Sequence, residues 1–106
     1  MDETTAIQMM SALAQPTRLA VFSALAKHQP GGLAVGQLAK LVETPPNTMS
    51  THLAILARAG LVAPERSGRV VTYSVAPGAI KHLALFLLKR GSDGTASDEA
   101  GISVSM

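Results

Sequence analysis

A chain of 106 residues fits one domain with a single adequate core, and with no cysteine it excludes disulfides, thiolate metal sites and cysteine redox chemistry. It is 47% hydrophobic and 15% charged but has only two Phe, one Tyr and no Trp, so its core must be built from Leu, Val, Ile, Met and Ala. The net charge of +2 is uneven: residues 1–90 carry nine Lys and Arg against four acids, whereas Asp93, Asp98 and Glu99 lie beyond Gly91 with no base.

A basic body is what a phosphate-binding surface requires. Met1-Asp2-Glu3 opens on acids rather than the bases of a secretory leader. The densest apolar run, Leu83 to Leu88, is far short of the ~20 residues that cross a bilayer. A soluble cytoplasmic protein with no membrane association is expected. Its apolar content exceeds what one small core holds, which points to burial between subunits.

In chain order, residues 3–14 place Ile7, Met10 and Leu13-Ala14 at helical spacing. Gln15-Pro16 interrupts, and Pro16 suits the first turn of a second helix, where its missing N–H would be unpaired anyway. That helix runs to about Lys27, with Leu19, Phe22, Leu25 and Ala26 expected inward. Gln29-Pro30-Gly31-Gly32 is a stop and a loop. Leu33-Ala34-Val35 reads either as a short strand or as the lead into a third helix marked by Val35, Leu38, Ala39 and Val42.

Glu43-Thr44-Pro45-Pro46 cannot continue that helix, but Pro46 can start the next. In the fourth helix Met49, Leu53 and Leu56 form a core stripe at i, i+4, i+7, and Ala59-Gly60 ends it with Gly in the left-handed position. Two helices across a four-residue break, the second polar at its start, define a helix-turn-helix. Leu61 to Arg66, the turn Ser67-Gly68 and Arg69 to Val75 read as a hairpin, and Pro64 marks its strand as an edge. Ala79 to Arg90 forms a last helix. The expected fold is mainly α with a small β-hairpin, a winged helix-turn-helix of order α-α-α-α-β-β-α. Residues 1–90 make one DNA-binding and dimerisation domain, and 91–106 a flexible acidic tail.

Several runs carry a resemblance. Leu13-Ala14-Gln15-Pro16-Thr17-Arg18-Leu19 resembles the opening of ArsR-type repressors, and Gly32 to Ala39 looks like their third helix. Asn47-Thr48-Met49-Ser50-Thr51-His52-Leu53 resembles their recognition helix, and Ala59-Gly60-Leu61-Val62 with Gly68-Arg69 their wing. The likeness covers roughly residues 5–90 in the family's order. It implies a homodimeric repressor that binds an operator and releases it when an inducer arrives.

The recognition helix supplies the sharpest candidates. Asn47, Thr48, Ser50, Thr51 and His52 offer short hydrogen-bonding side chains, and no acid occurs between Glu43 and Glu65. An exposed polar face without a partner is the bland alternative. A helix start normally attracts acids, and their absence fits docking on phosphate. Asn47 and Thr48 are placed for phosphate, and Ser50, Thr51 and His52 for base edges. Related helices often carry Arg or Gln where Thr51 stands, so strong guanine readout is not expected from Thr51. Arg66 and Arg69 on the wing would contact the backbone or minor groove, with Arg58 and Lys40 as flanking phosphate ligands. Arg18 is expected to cap or to pair internally rather than to touch DNA.

A last helix that is apolar nearly all round cannot lie on the surface of a soluble monomer. Ile7 and Met10 of the first helix and Leu83, Phe86 and Leu87 of the last are therefore the expected dimer contacts, with Met9 filling in. Such a two-fold would set the recognition helices about 34 Å apart, one turn of an inverted-repeat operator.

The resemblance gives no sensor. Metal-sensing relatives carry C-V-C in the third helix, where Ala34-Val35-Gly36 stand here. Others bind zinc through D-x-H and H-x-x-E on the last helix, which here has only His82. His28, His52 and His82 lack helical partners, so no metal or cofactor is expected, and a small-molecule effector remains open. Neither a phosphate loop nor paired carboxylates point to an enzyme. Two functions follow: a sequence-specific DNA-binding transcriptional regulator, a dimeric repressor released by an unidentified effector, or a winged-helix module docking another protein through its apolar first and last helices.

Overall fold

The computed structural model describes residues 1–92. Helices α1 (Glu3–Leu13), α2 (Pro16–Lys27), α3 (Val35–Leu41), α4 (Pro46–Arg58) and α5 (Ala79–Gly91) accompany strands β1 (Leu33–Ala34), β2 (Val62–Ser67) and β3 (Val70–Val75). Gly91 thus closes α5 rather than opening a tail, and residues 93–106 of the expected tail lie outside the described residues.

Local chemistry sets the helix ends. Asp2 caps α1 by accepting the Thr5 N–H at 3.1 Å. Hydrogen bonding from the Thr5 side chain, then from its N–H, holds the Asp2 carboxyl below its ordinary value. Gln15 Oε1 accepts the Arg18 N–H at 2.7 Å, and Pro16 occupies the first turn of α2. At the end of α4, the Gly60 N–H reaches Ala57 O at 3.0 Å and the Leu61 N–H reaches Leu56 O at 3.0 Å. With Gly60 at φ +82°, this is a Schellman cap, closed by buried Leu56 and Leu61.

The same cap ends α3 without glycine. The Glu43 N–H reaches Lys40 O at 3.3 Å and the Thr44 N–H reaches Ala39 O at 2.9 Å, while Glu43 sits at φ 53°. A left-handed residue with a Cβ costs about 1–2 kcal/mol. Glu43→Gly should therefore raise stability by about 0.5–1 kcal/mol, allowing for the extra freedom of an unfolded glycine. A higher urea midpoint with an unchanged slope would show it.

The sheet order is β1-β3-β2, antiparallel throughout, with Leu33 opposite Tyr73 and Val62 opposite Val75. Of the two readings of Leu33-Ala34, the strand is the one adopted. Pro64 lies on β2 at the sheet edge, where a missing N–H costs no ladder bond. Ser67 pairs with Val70, so the hairpin turn is Gly68-Arg69 and not Ser67-Gly68. Gly68, at φ +65°, stands first in that turn, as a type II′ hairpin wants.

The core joins Ala6, Met9 and Ala12 of α1, Val21 and Leu25 of α2, Leu38 and Ala39 of α3, and Met49, Leu53 and Leu56 of α4. Leu61, Val62 and, from α5, Ala79 and Leu83 complete it. The α4 stripe is as expected. Two other faces are not: Leu19 is 51% exposed and Ala26 is exposed, with Val21 inward instead. On α1 the inward face is the alanine-rich one, and Met9 fills the core rather than an interface.

Candidate nucleic-acid interface

The site is built on α4. Burying Met49, Leu53 and Leu56 turns the opposite face outward, and Asn47, Ser50, Thr51, Ala54 and Arg58 are all exposed along it. Their spacing is i, i+3, i+4, i+7, i+11, a single stripe. Thr48 is exposed beside it. Pro45 offers no side-chain cap, so Asn47 Oδ1 accepts the Thr48 N–H at 3.0 Å. The Asn47 amide nitrogen keeps its donors. Thr51 Oγ1 makes only a long bond of 3.4 Å to Asn47 O and can turn outward at little cost. The front of α4 is thus a row of small donors and acceptors at a positive helix end.

Ala54 completes the stripe and is not among the sequence candidates. Its position seven residues after Asn47 was the available signal. An exposed methyl there can pack on a thymine methyl.

His52 lies off the stripe. It is half-buried on the flank facing α2, with Nδ1 3.4 Å from Nη1 of Arg18. Arg18 Nε donates to Ala12 O at 2.7 Å, so this arginine does bond internally. Thirty-four residues separate His52 from Arg18, and no sequence spacing announces the pair.

Arg66 and Arg69 are exposed at the hairpin tip, Arg66 opposite Val71 and Arg69 within the turn. Arg58 lines an open groove of about 300 Å³ between α1 and the second half of α4. Lys40 is exposed on the last turn of α3. Among the described residues none of these four bases has a carboxylate within ion-pair distance; the ion pair found there joins Arg90 to Glu3 at 3.1 Å.

The expected dimer contacts divide. Ile7 is 53%, Met10 38% and Leu87 43% exposed, all open to a partner. Leu83, at 6%, is a correction: it fills the protomer's own core because α5 must seat one side on the body. Phe86 is half-buried against that core under the Arg90 guanidinium, 4.9 Å from its ring centre. Leu85 and Leu88, part of the helix's all-round apolar surface, are exposed as well. Among the described residues no three of His, Asp and Glu cluster closely enough to hold a metal ion. His28 Nδ1 lies 2.8 Å from Ala24 O of its own helix.

Residues 13–65 match the family model described as Helix-turn-helix domain. The chain belongs to that helix-turn-helix family. It is 37% identical over 78 residues to the HTH-type transcriptional repressor SmtB of Mycobacterium tuberculosis, a match covering 74% of this chain and 56% of that protein. The match therefore spans little more than half the length of that relative. Among solved structures, the homodimeric winged helix-turn-helix DNA-binding domain Mb0332 from Mycobacterium bovis superposes with a TM-score of 0.68 at 27% identity, covering 84% of this chain and 81% of that one. HlyU from Vibrio cholerae gives 0.67 at 29% identity, covering 85% and 96%. An ArsR-like transcriptional regulator from Rhodococcus sp. RHA1 gives 0.77 at 21% identity, covering 85% and 82%, which speaks to the fold. The fold is the winged helix-turn-helix of ArsR-like regulators.

Proposed function

We propose that this protein is a sequence-specific, DNA-binding transcriptional repressor that acts in the cytoplasm as a homodimer. The observation that carries the reading is the acid-free exposed stripe of α4, Asn47, Ser50, Thr51, Ala54 and Arg58, beside an arginine-tipped wing. A helix fits the major groove, and short polar side chains there exchange hydrogen bonds with base edges. Arg66, Arg69, Arg58 and Lys40 supply sequence-independent attraction to phosphate. The relatives named above support the role, as do the exposed apolar side chains of Ile7 and Met10 on α1 and Leu87 on α5, which a second copy would cover. Two recognition helices about 34 Å apart then ask for an inverted repeat. Repression follows from occupying a promoter, and release would come from an effector of a class not yet assigned. The role is binding rather than catalysis.

Quantitative duplex binding over a salt series tests this. Arg69→Ala should weaken binding to all duplexes alike and reduce the salt slope by about one. Ser50→Ala should leave the slope unchanged and alter the preference among sequences. Variants that both bind like the parent would put the DNA surface elsewhere. Sedimentation at several concentrations separates the symmetric dimer from a monomer that docks an unlike chain through α1 and α5.

A further inference from the structure

Arg18 is a half-buried arginine without a carboxylate partner among the described residues, and its bonds explain what it does. Its Nε is committed to Ala12 O at 2.7 Å, at the end of α1, and its backbone N–H to Gln15 Oε1 at 2.7 Å. The Nε bond holds the guanidinium in place, with Nη1 directed at His52 Nδ1 across a long 3.4 Å. Guanidinium has donors only, so in this bond Nδ1 must be the acceptor. The neutral ring then carries its proton on Nε2, on the far edge from Arg18. Position 52 is one turn beyond Thr48, off the exposed stripe on the half-buried flank of α4, where the ring is not closed off from solvent.

We infer that Arg18 sets part of the sequence preference of α4 without touching DNA, by fixing His52 as a hydrogen-bond donor through Nε2. This rests on the DNA-reading role proposed above. A lone donor distinguishes the bases. Guanine offers N7 and O6, two adjacent acceptors, whereas adenine sets an N6 donor beside N7, cytosine presents a donor at N4, and thymine offers the single acceptor O4 beside its methyl group. The base assigned to His52 is guanine. Arg18 is a positioning residue, and Ala12 O is the point at which α1 braces it.

Two measurements test the inference. On the intact parent protein, long-range proton–nitrogen spectra of the imidazoles at pH 8, with His52 assigned by its loss in His52→Ala, should show Nδ1 bare and Nε2 protonated. A proton on Nδ1 would overturn the proposal and needs no arginine variant to be seen. Selection of duplexes from a random pool at fixed salt should return guanine at one position of each half-site. His52→Ala and Arg18→Leu should each lose that preference at the same position by about fivefold, the worth of a single net hydrogen bond. The double variant should lose no more than either alone. If Arg18→Leu keeps the guanine, Arg18 is only structural. If it weakens every duplex equally and lowers the salt slope by about one, it is a phosphate ligand; either result overturns the proposal. A parent that selects no sequence would instead sink the DNA-reading role itself, and this inference with it.

Discussion

Thr51→Glu is expected to lower affinity for any duplex by roughly 30- to 150-fold while leaving the fold intact. Thr51 lies on the exposed stripe of α4, and the acids nearest in sequence are Glu43 and Glu65. A carboxylate there would face phosphates across a few ångströms. At the intermediate dielectric of a protein surface such a repulsion amounts to about 2–3 kcal/mol, which converts to that range. Helix propensity favours Glu over Thr, and the hydroxyl being replaced makes only a 3.4 Å bond to Asn47 O. Thermal stability should hence stay within about 0.5 kcal/mol of the parent. Thr51→Gln separates charge from shape: it should retain non-specific affinity and shift only the preferred sequence. Fluorescence anisotropy at fixed salt measures all three proteins. Parental binding by the glutamate variant would mean that this face of α4 does not meet DNA.

The stripe was legible because the residues that dictate it are local. Met49, Leu53 and Leu56 recur at helical spacing, and Pro46 and Gly60 mark where α4 starts and stops. What sequence could not supply was any fact that depends on a distant partner. On α1, the large apolar residues Ile7 and Met10 outline a helical face, but that face looks outward. Ala6 and Ala12 let α1 approach the core closely beside Met9, so Ile7 and Met10 are left facing out. Periodicity alone does not tell a core face from one awaiting another chain. Leu83 fails the other way, since the body of the protomer reaches it first. Two-residue β1 exists only because β3 lies alongside. The Arg18–His52 pair likewise joins helices that the linear order keeps apart.

Gly32→Ala should be the most damaging small change, costing about 3 kcal/mol or more. Gly32 stands at φ +71°, and a Cβ built on it would run into the carbonyl oxygen of Tyr73 and lie 3.3 Å from Ser74 Cβ. The obstacle is the backbone of β3, not the end of a flexible side chain. Tyr73 pairs with Leu33 on one side and Pro64 on the other, so β3 cannot retreat without loosening both neighbours. The left-handed conformation adds about 1–2 kcal/mol, and overpacking against fixed atoms typically 1–3 kcal/mol. Against the 5–15 kcal/mol typical of native domains this is a large fraction, and the melting midpoint should fall by more than about 10 °C. Gly36→Ala is the matched control. Gly36 lies in α3 with nothing within 4 Å of its added methyl, so alanine there should stabilise by up to about 1 kcal/mol. The consequence reaches the DNA surface, because β3 carries the wing that ends in Arg69 while β1 ties that strand to the start of α3. Loss of the β1–β3 contact frees the wing from the helices it must align with. Gly32→Ala should therefore weaken duplex binding even at temperatures where it remains folded, whereas Gly36→Ala should not. A Gly32→Ala protein that melts and binds like the parent would show that the loop never comes this close to β3.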